Sequence, residues 1–296
     1  STCPTLHGEN VVLRILDKSG LLLGLESLGF SPRELTLFQE LIQSPYGIIL
    51  VTGPTGSGKT TTLYSALQIL NREDVNIMTV EDPVEYQFPG IRQVHVNVRA
   101  GLTFATALRS FLRQDPNIIM VGEIRDRETA EIAVQAALTG HLVLSTLHTN
   151  DSASAFTRLI DMEVEPFLVS SSILGTLAQR LIRKVCEKCK ENYLPDDETL
   201  RNLGLEAQIG KNMQFNRGRG CKLCNSSGYK GRIGIYELLK VSPAIQELVL
   251  KRSSADDIRA AAVKEGLSTL RTAALEKLVL GLTTPEEVAR VTLESG

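Results

Sequence analysis

The chain has 296 residues, 43% hydrophobic and 22% charged, with 32 Lys and Arg against 34 Asp and Glu for a net charge of −2. At ~150 residues per domain it holds one large domain or two ordinary ones, and its composition excludes disordered and collagen-like chains. The near-zero charge provides no overall field for nucleic acid or an anionic lipid surface, no apolar run approaches the ~20 residues of a membrane span, and Ser1 to Gly8 lack the regions of a signal peptide, so a cytoplasmic protein is expected.

Asn10 to Leu16 (NVVLRIL) predicts a strand with no earlier partner in the chain. Ser31, Pro32 and Glu34 supply an N-cap, a first-turn proline and a capping-box acid for a helix through Leu35, Phe38, Leu41 and Ile42, ending near Ser44 and Pro45. From Tyr46 to about Arg158, apolar strands at 46–51, 76–80, 117–121 and 141–147 alternate with helical stretches at 60–70, 103–113 and 127–139. That alternation predicts an α/β fold with a mainly parallel sheet. Residues 186–231 break the rhythm with two cysteine pairs and many Gly, Lys and Arg residues, as a small inserted module does. Beyond Pro243 the chain turns helical, with capping boxes at Ser254–Asp257 and Thr284–Glu287 and Pro285 in the first turn of the last helix.

Gly53-Pro-Thr-Gly-Ser-Gly-Lys-Thr60 lies between an apolar strand and a helical run, the setting a P-loop requires. Gly53, Gly56 and Gly58 let the backbone curl so that its N–H groups point inward, and the helix N-terminus adds partial positive charge for the β- and γ-phosphates. Lys59 then reaches phosphate oxygens and Thr60 binds Mg²⁺; the competing reading is a glycine-rich turn that happens to contain Lys-Thr. Hydrolysis also needs an acid for the metal and a group to orient water. Glu81, Asp82 and Glu85 follow one strand and Glu123 another, both at carboxyl ends, where open α/β sheets bind ligands. Gly122 before Glu123 departs from the usual apolar-strand-then-Asp order. Glu128 reads as a solvated acid at a helix start. His141 and His148 flank the strand LVLSTL; each is either a structural histidine or one whose ring couples phosphate state to strand position.

Cys186, Cys189, Cys221 and Cys224 form two CxxC knuckles that together can close a tetrahedral shell around structural Zn²⁺. Unpaired buried cysteines and a redox dithiol are the alternatives, and Cys3 has no evident partner.

Four stretches in order, GPTGSGKT at 53–60, TVEDPVEY at 79–86, RQDPNIIMVGEIRD at 113–126 and TGHLVLSTLHTND at 139–151, resemble the secretion ATPase superfamily that powers type II secretion and type IV pilus assembly. The resemblance covers nearly the whole chain. It implies a RecA-like P-loop NTPase core at 25–185, a tetracysteine zinc module at 186–232 and a helical C-terminal subdomain at 233–296. Residues 1–24 would be the remnant of an N-terminal arginine-bearing domain and its linker, in a chain truncated at that end. It further implies that Gly53, Pro54, Thr55, Gly56, Ser57, Gly58, Lys59, Thr60 and Thr61 hold ATP together with Glu81 and Asp82. Glu85 would polarise the attacking water, Glu123 would be the Walker B acid at Mg²⁺ beside Thr60, His141 and His148 would lie near the γ-phosphate, and Arg14 would act in trans. The implied assembly is a hexameric homo-oligomer at the cytoplasmic face of the inner membrane, working on a platform protein. Within the family, the tetracysteine module marks the secretion and pilus-assembly branches and is absent from the retraction branch.

Two other functions compete. A nucleic-acid-binding ATPase would grip phosphates with Lys188, Lys190, Lys211, Arg217, Arg219, Lys222, Lys230 and Arg232, but these residues lack interleaved aromatic platforms and the chain has no Trp, so no stable nucleic-acid partner is expected. The other is an interaction module that binds ATP without turning it over.

Overall fold

The computed structural model describes residues 2–13, 23–206, 211 and 213–293. The chain opens with a hairpin, β1 (Thr2–Thr5) against β2 (Gly8–Val11), whose residues are exposed throughout. The strand expected over Asn10 to Leu16 is therefore displaced toward the N-terminus, and it does have a partner: Asn10 pairs with Cys3. The polar sequence of β1 hid that partner. Arg14, the expected trans-acting arginine, lies outside the described residues.

Helix α1 (Pro32–Ile42) starts as its capping box dictates, with Ser31 Oγ accepting from the Glu34 amide and the Glu34 carboxylate accepting from the Ser31 amide. Then follow β3 (Gly47–Thr52), α2 (Lys59–Leu70), β4 (Ile77–Glu81), β5 (Arg92–His95), α3 (Phe104–Phe111), β6 (Ile118–Val121), α4 (Arg127–Leu138) and β7 (Leu142–Leu147). Beyond them come α5 (Ser154–Asp161), α6 (Pro166–Ser172) and the long strand β8 (Ile173–Val185). The cysteine region contributes β9 (Lys190–Tyr193), α7 (Asp197–Asn202) and β10 (Phe215–Gly218), and β11 (Tyr229–Lys240) returns to pair antiparallel with β8.

A seven-stranded sheet results, in the order β11-β8-β3-β7-β6-β4-β5, parallel except at the β11–β8 pair. Its central strands read as unbroken apolar runs because both faces are covered. Phe38, Leu63, Tyr64 and Leu67 from α1 and α2 pack on one face; Phe104, Leu108, Ile132 and Phe156 pack on the other. Each such side chain contributes about 1.5–3 kcal/mol on burial.

Helices α8 (Pro243–Leu250), α9 (Ala255–Lys264), α10 (Leu270–Val279) and α11 (Pro285–Leu293) follow. Ser254 and Asp257 form the expected reciprocal cap on α9. The box expected at Thr284–Glu287 is only half made: the Glu287 amide donates to Thr284 Oγ1 at 3.5 Å, but its carboxylate turns to Arg183 and Arg290. Two guanidinium groups outcompete one main-chain N–H for a buried carboxylate. Ala178, Ile182 and Phe215 pack with Leu278, Val288 and Val291 in a third cluster that joins the sheet to α10 and α11, whereas Ile245, Val249, Ile258 and Ala262 of α8 and α9 pack in the main core. No helix among the described residues is long and apolar enough to cross a membrane.

Candidate active site

Parallel pairing decides what can meet. Thr52 at the end of β3 pairs with Leu147 at the end of β7, and Val121 on β6 pairs with both Ser145 on β7 and Val80 on β4. The segments that leave these four strand ends therefore share one edge. They enclose a cleft of about 370 Å³ lined by Thr55 to Thr61, Asp82, Glu85, Glu123 and His148. A larger groove, about 1080 Å³, lies between α1 and segments 238–243 and 262–268, and none of the expected site residues lines it.

The phosphate loop depends on β8. Gly53 has φ +142°, and a Cβ there would sit 2.4 Å from the Gln179 carbonyl oxygen; at Gly58, with φ +92°, it would lie 2.8 Å from Gln179 Nε2. Only glycine satisfies both the left-handed backbone and the close approach. Gln179 also accepts a 2.8 Å hydrogen bond from Thr62 Oγ1 on α2. Lys59 Nζ donates to the carbonyls of Gly53 (2.7 Å) and Pro54 (3.1 Å), so its ammonium lies across the loop it serves. Burial pushes its pKa down, opposed by Glu123 and aided by Arg180. Arg180 is itself buried on β8 and donates to Asn150.

Glu123 lines the same cleft. Burial raises its pKa, yet the Arg125 guanidinium and His148, with Nε2 3.4 Å from Glu123 Oε2, outweigh burial and hold the carboxyl below its usual range. A charged carboxylate is what a metal-holding acid must be. The preceding Gly122 has a steric cause: a Cβ there would lie 3.2 Å from the Val80 carbonyl oxygen and 3.4 Å from Glu81 Cα on the adjacent strand.

The acidic segment after β4 divides its labour. Asp82, whose peptide bond to Pro83 is cis, and Glu85 line the cleft. Glu81, expected as a nucleotide contact, is only 3% exposed, and its carboxylate accepts from Tyr64 Oη, Thr79 Oγ1 (2.6 Å) and Gln93 Nε2 (3.1 Å). Three internal donors thus satisfy its carboxylate, although Glu81 too lines the cleft.

His141 also departs from expectation. It precedes β7 whereas His148 follows it, and six residues of strand at ~3.3 Å each place the two about 20 Å apart, at opposite edges of the sheet. His141 Nδ1 bonds the Ala136 carbonyl, as a structural histidine does. Leu181 and Arg232 line the cleft without having been singled out for it. They lie on β8 and β11, far in sequence from any phosphate-binding motif, and the sequence alone groups Arg232 with the basic residues of the cysteine module. That module is no continuous patch: Arg217 and Arg219 both pair with Glu191, and Lys190 lies near Glu187.

The four cysteines of the knuckles converge, their sulfurs all within 4.8 Å of one another. Cys186–Cys221 and Cys189–Cys224 are each separated by 3.9 Å and Cys221–Cys224 by 3.7 Å. Burial raises the Cys224 thiol, but main-chain N–H groups of Cys221 and Gly228 help bring it down to about 6. Four convergent sulfurs fit Zn²⁺ held by Cys186, Cys189, Cys221 and Cys224. Such a metal would tie the end of β8 to the start of β11 and leave no open coordination position for catalysis.

Comparison with known proteins agrees with this architecture. The family described as type II/IV secretion system protein matches residues 1–290. The type IV pilus assembly ATPase PilB of Thermus thermophilus is 54% identical over 99% of this chain and 33% of its own length. Type II secretion system protein E of Pseudomonas aeruginosa is 53% identical over 99% of this chain and 58% of its own. The chain thus spans about a third to three-fifths of these relatives. Among solved structures, the pilus retraction motor PilT with bound ADP superposes with a TM-score of 0.70 at 29% identity, covering 94% of this chain and 68% of that one.

Proposed function

This chain belongs to the type II/IV secretion system protein family, and we propose that it is the ATP-hydrolysing part of a motor subunit that drives type II protein secretion or type IV pilus assembly. The observation that carries the reading is the convergence of Lys59, Thr60, Glu123 and Glu85 on one cleft at the carboxyl edge of the sheet. Main-chain N–H groups of the glycine loop and the N-terminus of α2 would receive the β- and γ-phosphates. Lys59 would exchange its loop carbonyls for phosphate oxygens. Thr60 and Glu123 would hold the Mg²⁺ that accompanies ATP and offsets its phosphate charge. Glu85, which lines the same cleft, would polarise the attacking water, and His148 would report the γ-phosphate to Glu123.

Relatives named as PilB and as secretion protein E match almost equally well, so the reading spans both machines. Its further parts are a hexameric ring, a platform protein at the cytoplasmic face of the inner membrane as the partner, and Zn²⁺ in the cysteine module. The test separates binding from chemistry: Lys59→Ala weakens nucleotide binding, whereas Glu85→Gln keeps binding and abolishes turnover. A Glu85→Gln protein that hydrolyses ATP at the wild-type rate overturns the assignment.

A further inference from the structure

One buried side chain of the phosphate helix helps to hold the acidic segment, alongside His95, whose Nδ1 accepts from the Val84 amide at 3.4 Å. Tyr64, 1% exposed, lies in the second turn of α2, one turn beyond Lys59 and Thr60. Its hydroxyl donates to Glu81 and accepts from the Glu85 main-chain N–H at 3.2 Å. A single oxygen therefore joins the helix that starts at the phosphate loop to the backbone of Glu85. The far side of the segment is held separately, by Gln93, which accepts from the Phe88 amide at 2.8 Å and donates to the Tyr86 carbonyl at 2.9 Å. Burial and the Glu81 carboxylate both push the Tyr64 pKa up, so the phenol keeps the proton it donates. The ring packs edge-on against Phe88 at 5.1 Å, a contact that needs no hydroxyl.

We propose that Tyr64 is a positioning residue for hydrolysis: its hydroxyl sets where the Glu85 main chain, and with it the carboxylate, stands relative to phosphates bound at the head of the same helix. This rests on the reading of Glu85 given above. Tyr64 lies behind the site, so it acts on the chemical step and not on affinity. A displacement of about 1 Å in a reacting group costs up to ~10²-fold in rate, and loss of this anchor corresponds to a fall in kcat of about 10- to 100-fold.

Tyr64→Phe keeps the ring and removes only the bonding oxygen. In steady-state ATPase assays on the otherwise unchanged protein, kcat falls by that factor, while KM and the equilibrium Kd for a non-hydrolysable ATP analogue stay within about twofold. Thr79→Val, which removes another donor to Glu81 without touching Glu85, serves as the matched control: it lowers the melting temperature comparably but kcat by less than about threefold. Equal kcat losses in Tyr64→Phe and Thr79→Val, or a parallel loss of nucleotide affinity, show a general packing role and overturn the inference. Full kcat in Tyr64→Phe alongside an inactive Glu85→Gln overturns it while leaving the function intact; full activity in Glu85→Gln fells the function itself.

Discussion

Glu287→Gln removes a buried charge that two guanidinium groups share. Glu287 Oε1 accepts from Nε of Arg183 (2.8 Å) and of Arg290 (3.0 Å), and Oε2 accepts from the Arg183 main-chain N–H (2.9 Å) and Arg290 Nη2 (2.9 Å). Burial alone would raise its pKa, but these bonds bring it from 4.5 down to about 2. At ~1.36 kcal/mol per pH unit, that drop sets an upper bound of about 3.4 kcal/mol. The arginine side chains are 49% and 47% exposed, so solvent screens the pair and about 2 kcal/mol remains. Because the folded pKa lies below the unfolded one, the contribution is complete above about pH 4.5 and is lost as pH falls through 2. Urea unfolding should place the variant about 2 kcal/mol below wild type at pH 7 with an unchanged m value, and only about 1 kcal/mol below at pH 3.5. A deficit that does not vary between these pH values, or none at pH 7, would refute the electrostatic account.

Elemental analysis should find one zinc per chain. Cys221→Ser should abolish it and open residues 186–228 to protease while leaving nucleotide affinity near wild type; metal-free protein with an unchanged cleavage pattern would count against a structural zinc. His148→Ala should lower kcat at least about tenfold, as expected for a side chain in contact with Glu123. His141→Ala should leave kcat and KM within about twofold, because β7 separates it from the cleft. The reverse ranking would restore His141 to the site.

What was readable in the sequence was local. The phosphate loop, the cap on α1 and the apolar strands β3, β4, β6 and β7 each announce themselves within a dozen residues, and parallel pairing then brings Lys59, Glu85, Glu123 and His148 to one edge. The long strand β8 is not legible there, since Thr176, Gln179 and Arg180 interrupt its apolar pattern and their partners, Ser152, Thr62 and Asn150, are remote in sequence. Glu81 and Glu85 looked alike four residues apart. What separates them is Tyr64 on another element, whose hydroxyl donates to the Glu81 carboxylate but meets Glu85 only at its main-chain N–H. The histidine box groups His141 with His148 by order along the chain, although the strand LVLSTL between them already implied opposite ends.

The contact between Gln179 and the two glycines bears on how the nucleotide site comes into being. All the amides that would grip phosphate belong to residues 53–60, yet the wall they are moulded on arrives 117 positions after Thr62. During synthesis the motif would emerge complete in composition but without a template, acquiring its curl only when β8 docks beside β3. Long-range closure of this kind is slow relative to helix formation. Competence to bind nucleotide should thus appear late and all at once, with the closing of the sheet.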